Sequence, residues 1–243
     1  MADAEATCRL LFDHEPRSGA WNMAFDEALL EAAANRGETI LRVFRWSEPT
    51  LSLGYFQKEL PPDLPTELPT LPRVRRLSGG GAILHHHEWT YSCAIPRSHP
   101  FAPKTEQLYE EAHRSLIEAF HSIGVVATLR GHNTADIPFL CFLRGDPRDI
   151  VVDGRKIVGS AQRRRRGAIL QHGSVLLRRS ELVPAIPGLT DVAPELSDAP
   201  WLAAESFLTT FSRRLFDGTT PIESAHPGDV DFAKIRQAEY VTR

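Results

Sequence analysis

The chain has 243 residues, 42% of them hydrophobic and 24% charged, which is enough apolar material for a sizeable core in one large soluble domain spanning 1–243. A net charge of −3 and an isoelectric point near 6.4 give no reason to expect nucleic acid as a partner, and no apolar run reaches membrane-spanning length. The N-terminus lacks the basic and apolar parts of a secretory signal, and three widely spaced cysteines, Cys8, Cys93 and Cys141, argue against a disulfide framework or a zinc knuckle. The expected protein is cytoplasmic and monomeric.

In chain order, Thr7 to Phe12 reads as a strand, and Ser18 is placed to cap a helix over Ala20 to Asn35 that Gly37 ends. Apolar residues surround the acidic pair Asp26 and Glu27, which predicts a core helix. Ile40 to Trp46 and Leu51 to Phe56 alternate in character and predict two antiparallel strands, with Gly54 open to the approach of another backbone. Five prolines between Pro61 and Pro72 predict an exposed, extended loop. Ala82 to Leu84 and Trp89 to Ile95 read as a hairpin. Leu108, Ala112, Leu116, Ala119 and Phe120 fall on one face of a helix over Thr105 to Ser122, closed by Gly124. Val125 to Leu129 reads as a strand, and Asp153-Gly154 between short apolar runs predicts a two-residue hairpin turn. Gly167 to Leu177 continues the sheet, Ala203 to Phe216 forms a helix, and the tail after Pro221 is expected to be coil. Strands and helices mix without βαβ alternation, so the expected class is α+β with a mostly antiparallel mixed sheet and packed helices.

The stretch from Arg75 to Ser92 stands out. Three consecutive glycines, Gly79, Gly80 and Gly81, let a backbone come close to a ligand with its N–H groups inward, and Arg75 and Arg76 just before them suit a carboxylate or phosphate. A tight hairpin with a solvated arginine pair is the equally open alternative. Further on, Lys156, one of four lysines in the chain, lies among strand and small residues; it reads either as a point charge fixed in a pocket or as a solvated lysine at a turn.

Together these segments resemble the lipoate-protein ligases and the related cysteine-dependent octanoyltransferases. The resemblance rests on Arg-Arg-x-Ser-Gly-Gly-Gly-Ala-Ile-x-His at 75–85, Asp-Gly-Arg-Lys-Ile-x-Gly-Ser-Ala-Gln at 153–162 and Gln-His-Gly-Ser-x-Leu-Leu at 171–177. It extends to 22–30 and 51–57. It implies a catalytic domain of the biotin and lipoate ligase kind, similar to class II synthetases, with the acyl group beside the glycine turn and Lys156 against the acyl carbonyl. The substrate-binding set it implies is Arg75, Arg76, Ser78, Gly79, Gly80, Gly81, His85, Gly159, Ser160, Ala161, His172 and Gly173.

The ligases use ATP and Mg²⁺; the octanoyltransferases pass an octanoyl group through a cysteine. Cys141 lies fifteen residues before Lys156, where those transferases carry their nucleophile. A thiolate attacks a thioester at little cost, and a neighbouring ammonium lowers a thiol pKa and stabilises the oxyanion. An inert buried thiol among Phe139, Leu140, Phe142 and Leu143 is the plain alternative. The Asn-Asp pair through which ligases help hold the metal is replaced by Gly131-His-Asn-Thr134, with Asp136 as a possible substitute, and the 70 residues after Gly173 leave little for the ligases' accessory domain.

The leading expectation is transfer of an octanoyl group from acyl carrier protein to a lysine of a lipoyl domain, or of a glycine cleavage H protein, without a cofactor. An ATP-dependent ligase with a detached accessory domain and a non-catalytic fatty-acyl-binding module are the rivals. Of His85, His86 and His87, at most the first and last share a strand face, which favours a pocket role for His85 over a metal site. The basic run Arg163 to Arg166 is either a solvated turn or an attractor for an acidic carrier at the mouth of the pocket.

Overall fold

The computed structural model describes residues 8–62, 64–135, 138–196, 199–216 and 222–242. Thr7 and Pro221 lie outside the described residues. The chain opens with β1 (Cys8–Phe12), α1 (Gly19–Arg36), β2 (Thr39–Phe44) and β3 (Thr50–Leu53), then β4 (Arg73–Arg75), β5 (Ile83–His85) and β6 (Glu88–Ile95). Next come α2 (Thr105–Ser122), β7 (Thr128–Leu129), β8 (Ile150–Val152), β9 (Arg155–Arg165) and β10 (Ala168–Leu176). It closes with α3 (Leu189–Val192), α4 (Ala199–Leu215), β11 (Ile222–Glu223) and α5 (Pro227–Arg236).

An eight-stranded sheet runs β11-β1-β2-β6-β10-β9-β8-β7, parallel only where β1 meets β2 and β11. Its central strands are buried on both faces, and the period of two splits their side chains between two cores. Leu41, Val43, Trp89 and Tyr91 join α2 and α4 on one side. Ile40, Ala94 and Leu170 meet α1 and α5 on the other. A three-stranded sheet, β4-β3-β5, carries the glycine turn between β4 and β5.

The expected α+β class holds, but several strand partners differ. Instead of pairing with β3, β2 inserts between β1 and β6, since Arg42 on its α1 side is fully buried and needs Asp13, Asn22 and Asp26 as partners. β5 and β6 form no hairpin with each other. β5 pairs β3 while β6 pairs β2 and β10, so His86 and His87, the latter at φ 51°, carry the chain between sheets. The proline-rich loop is anchored at Leu68, which is fully buried in a cluster with Leu51 and Leu53. The expected strand at Val125 shortens to β7. Beyond Pro221 the tail is not coil: α5, capped by the His226 side chain with Pro227 in its first turn, docks Ala233 and then Tyr240 on α1. No helix among the described residues is long and apolar enough to cross a membrane.

Candidate active site

Asp153 and Gly154, both at positive φ (48° and 72°), turn β8 into β9 and deliver Lys156 to the interior, where it is 6% exposed. Its ammonium pairs with Asp149 Oδ1 at 2.9 Å and donates to the Cys141 carbonyl at 3.2 Å. The Cys141 Sγ lies 3.8 Å from Nζ. Burial pushes the Asp149 carboxyl above its ordinary pKa even against the attraction of Lys156.

Cys141 is put there by the glycine turn. It opens a short 3₁₀ turn, Cys141–Leu143; its N–H donates to the Ala82 carbonyl at 2.7 Å, and the Ala82 N–H donates to Phe139 O at 3.0 Å. A Cβ at Gly81 would meet Phe139 O at 2.8 Å, so this stitching requires glycine. Gly80 sits at φ +91°, and a Cβ at Gly54 would collide with its carbonyl oxygen, which is the backbone approach expected of Gly54.

Arg76 braces the glycine turn, and Arg75 braces the neighbouring Gly54–Gln57 turn. Arg76, 2% exposed, donates to the carbonyls of Ser52 (2.9 Å), Gly79 (2.8 Å) and Gly81 (2.6 Å), while Arg75 donates to the carbonyl of Gln57. Burial lowers the Arg76 guanidinium to about 10, partly offset by Cys141. Three backbone carbonyls thus converge on one buried cation at the wall of the inner cavity.

Two cavities meet at Cys141. The inner one is lined by Cys141, Gly79, Gly80, Gly159, Met23, Trp46 and His85. Arg76, Ser160, Ala161, His172 and Gly173 also line it. The outer one opens to solvent and contains Lys156, Gly81, Tyr109, Asn133 and Asp149. Arg75 and Ser78 line neither. Ser78 sits behind the wall, hydrogen-bonded to His172 Nε2 at 2.5 Å, and Asp26 on α1 holds His172 Nδ1 at 3.0 Å. His85 gives Nδ1 to Glu88 at 2.8 Å and stacks on Trp46 with ring centroids 3.7 Å apart; burial holds its pKa down.

Asp26, Asp149, Trp46, Met23 and Tyr109 escaped sequence reasoning as site residues. Asp149 heads the segment that carries Lys156, so a lysine destined for burial was itself a signal to look for a nearby carboxylate. The basic run is divided. Arg165 and Arg166 pair with Glu27 and Glu31 at 2.8–3.1 Å, Arg164 donates to Ala102 O, and Arg163 lies over the Tyr55 ring at 4.8 Å. His86, His87 and Glu181 come within 4.8 Å of one another as potential metal ligands, but Arg178 donates to the His87 ring at 3.0 Å and puts a cation where a metal would sit. In the outer cavity Asp146 is paired with Arg148 at 2.9 Å and Asp149 with Lys156, so both carboxylates already face cations and suit Mg²⁺ poorly; Asp136 lies outside the described residues.

Residues 18–182 match the family model of the lipoyl protein ligase A/B catalytic domain. Among curated proteins, octanoyltransferase LipM of Carboxydothermus hydrogenoformans is 40% identical over 171 residues, covering 68% of this chain and 64% of that protein. LipM of Staphylococcus aureus is 41% identical over 170 residues, covering 64% and 61%. The matched chain thus spans less than two thirds of these relatives' length. Among solved structures, a Thermoplasma acidophilum protein with bound lipoic acid superposes with a TM-score of 0.73 at 19% identity, covering 97% of this chain and 96% of that one. Lipoate-protein ligase A bound with ATP gives 0.70 at 19% identity, covering 97% and 95%. At these identities the likeness concerns the fold alone, and it is the lipoate-protein ligase fold.

Proposed function

Because the chain belongs to the lipoyl protein ligase A/B catalytic domain family, we propose that it is an octanoyltransferase whose single catalytic domain moves an octanoyl group from acyl carrier protein to a lysine of a lipoyl domain through a Cys141 thioester. The observation that carries this reading is the Sγ–Nζ distance of 3.8 Å at the junction of an inner cavity and a solvent-open one. The thiolate attacks the carrier thioester while the Lys156 ammonium stabilises the oxyanion. The carrier thiolate leaves with the Lys156 proton. The acceptor lysine then enters as a neutral amine, its nitrogen attacks the Cys141 thioester and its proton passes to neutral Lys156, and Cys141 departs as thiolate. Both partners of the dyad are restored. Asp149 keeps Lys156 in place, the inner cavity takes the acyl chain, and no step calls for a cofactor.

Intact mass after incubation with octanoyl acyl carrier protein, without ATP, tests the proposal. A hydroxylamine-sensitive octanoyl adduct on the wild type and none on Cys141→Ser is the expected result. Modification of a lipoyl domain only when ATP and free lipoate are added would make the protein a ligase and Cys141 structural.

A further inference from the structure

Phe56 is the most exposed large apolar side chain among the described residues, at 78%, yet the turn that carries it is held rigidly. Tyr55 N–H donates to the Ser78 carbonyl at 2.9 Å, Gln57 N–H to the Gly54 carbonyl at 3.0 Å, and Gly54 N–H to the Gln57 side-chain oxygen at 2.9 Å. Arg75 closes the turn through the Gln57 carbonyl. Arg163 lies over the Tyr55 ring, so Phe56, edge-on to Tyr55 with centroids 5.1 Å apart, is the ring left more open to solvent. The turn also sits close to the thiol. A Cβ at Gly79 would lie 3.9 Å from two carbons of the Phe56 ring, and Gly79 lines both cavities that meet at Cys141. Leu143, 45% exposed, ends the short turn that Cys141 opens. One exposed apolar side chain thus leans on the glycine turn and another follows the thiol.

We propose that Phe56, with Leu143, is the docking contact for the acceptor domain, the folded partner that brings a lysine to the acyl thioester. This rests on the functional reading above, in which Cys141 holds the octanoyl group. Reach decides the occupant. A lysine has only a four-carbon stem between its backbone and its nitrogen, so the domain that bears it must press against this rim to bring the amine to Cys141. An acyl carrier delivers its thioester on a longer prosthetic arm and has no need of contact so near the thiol. A ring already fixed in place loses little freedom on being covered, which makes a rigid aromatic an effective anchor. The partner that fits is a domain with an apolar side chain beside its lysine.

The experiment follows both half-reactions in wild type, Phe56→Ser, Phe56→Leu and Leu143→Ser: thioester formation from octanoyl acyl carrier protein, then transfer to a lipoyl domain or to the amide of Nα-acetyl-lysine. Phe56→Ser should raise the KM for the lipoyl domain about tenfold, Leu143→Ser should raise it less, and Phe56→Leu should recover most of the loss. Thioester formation, kcat at saturating domain and transfer to the small amine should stay at the wild-type level. An unchanged KM in Phe56→Ser overturns the proposal. So does a loss that falls on thioester formation, which would make the rim the carrier's, or one that falls equally on the small amine, which would make the turn part of the chemistry. A wild type that forms no Cys141 thioester but modifies the domain with ATP and free lipoate refutes the transferase reading instead, and the KM for the domain in that reaction then decides for or against the rim.

Discussion

At the β8 end of β9, Lys156 meets a single carboxylate, Asp149, and still reaches the Cys141 carbonyl and thiol. At the other end of the same hairpin, Arg165 meets two, Glu27 and Glu31, and Glu27 takes further hydrogen bonds from Arg236 and Tyr240. The carboxylates respond in opposite directions. Burial pushes both upward, yet at Glu27 the bonds from Arg165, Tyr240 and Arg236 outweigh it and hold the pKa below the usual range, whereas at Asp149 burial wins. A carboxylate with several cationic donors is a strut. Asp149, which has one close cation in the buried Lys156 ammonium and the Arg130 Nε only at 3.9 Å, stands in a place where a proton can move, and there the hairpin meets the thiol.

Several variants press on that contrast. Cys141→Ser should lower octanoyl transfer by about a thousandfold or more in a steady-state assay with the lipoyl domain, since a serine hydroxyl beside Lys156 stays protonated. Lys156→Met should cost on the order of a hundredfold in kcat, the scale of a lost acid–base and oxyanion partner, while leaving the urea unfolding midpoint close to that of the wild type. Glu27→Gln should do the reverse, costing about 1–2 kcal/mol in urea unfolding by disbanding the strut while the folded fraction keeps its kcat.

A smaller, graded effect is expected on acidification. Burial depresses the His113 pKa to about 3, although its hydrogen bond to the Arg148 carbonyl opposes the shift, and its other nitrogen bonds Ser160 Oγ at 2.7 Å. The folded state therefore binds fewer protons than the unfolded chain between about pH 6.5 and 3. Stability contributed by this neutral imidazole is complete above that window and falls by about 1 kcal/mol per pH unit within it. Urea unfolding of His113→Asn at several pH values should show a shallower acid slope. Least of all, Arg163→Ser should raise the KM for acyl carrier protein a few-fold and weaken its salt dependence, and Arg166→Ser should leave both unchanged, because Arg166 is committed to Glu31 at the strut end.

The nearness of Cys141 to Lys156 was legible only through the family resemblance, since the neighbours of each read equally as those of an inert thiol and a solvated lysine. The long helices, by contrast, were legible from their spacing and caps. What stayed hidden was pairing across distance. Leu51 to Phe56 looks like a partner for β2 because the two are neighbours in sequence, but nothing local says that Arg42 will be buried against α1 or that β5 will leave β6 to complete a second sheet. The bonds of Arg75 and Arg76 were hidden for a related reason: a guanidinium before a glycine turn has the same sequence whether or not it binds backbone carbonyls. The terminal helix had readable punctuation in His226-Pro227 but too short an apolar face to outweigh the polar residues around it.

The Glu27 strut also has a consequence for the order of synthesis. Two of its partners, Arg236 and Tyr240, lie 209 and 213 positions downstream. While the chain emerges from the ribosome, α1 carries a carboxylate meant for the interior whose full complement of donors is made only 209 to 213 residues later. The face of the sheet beneath α1 closes only once α5 has been made, and docking of α5 should be a slow step in packing because its contacts with α1 span so much of the chain.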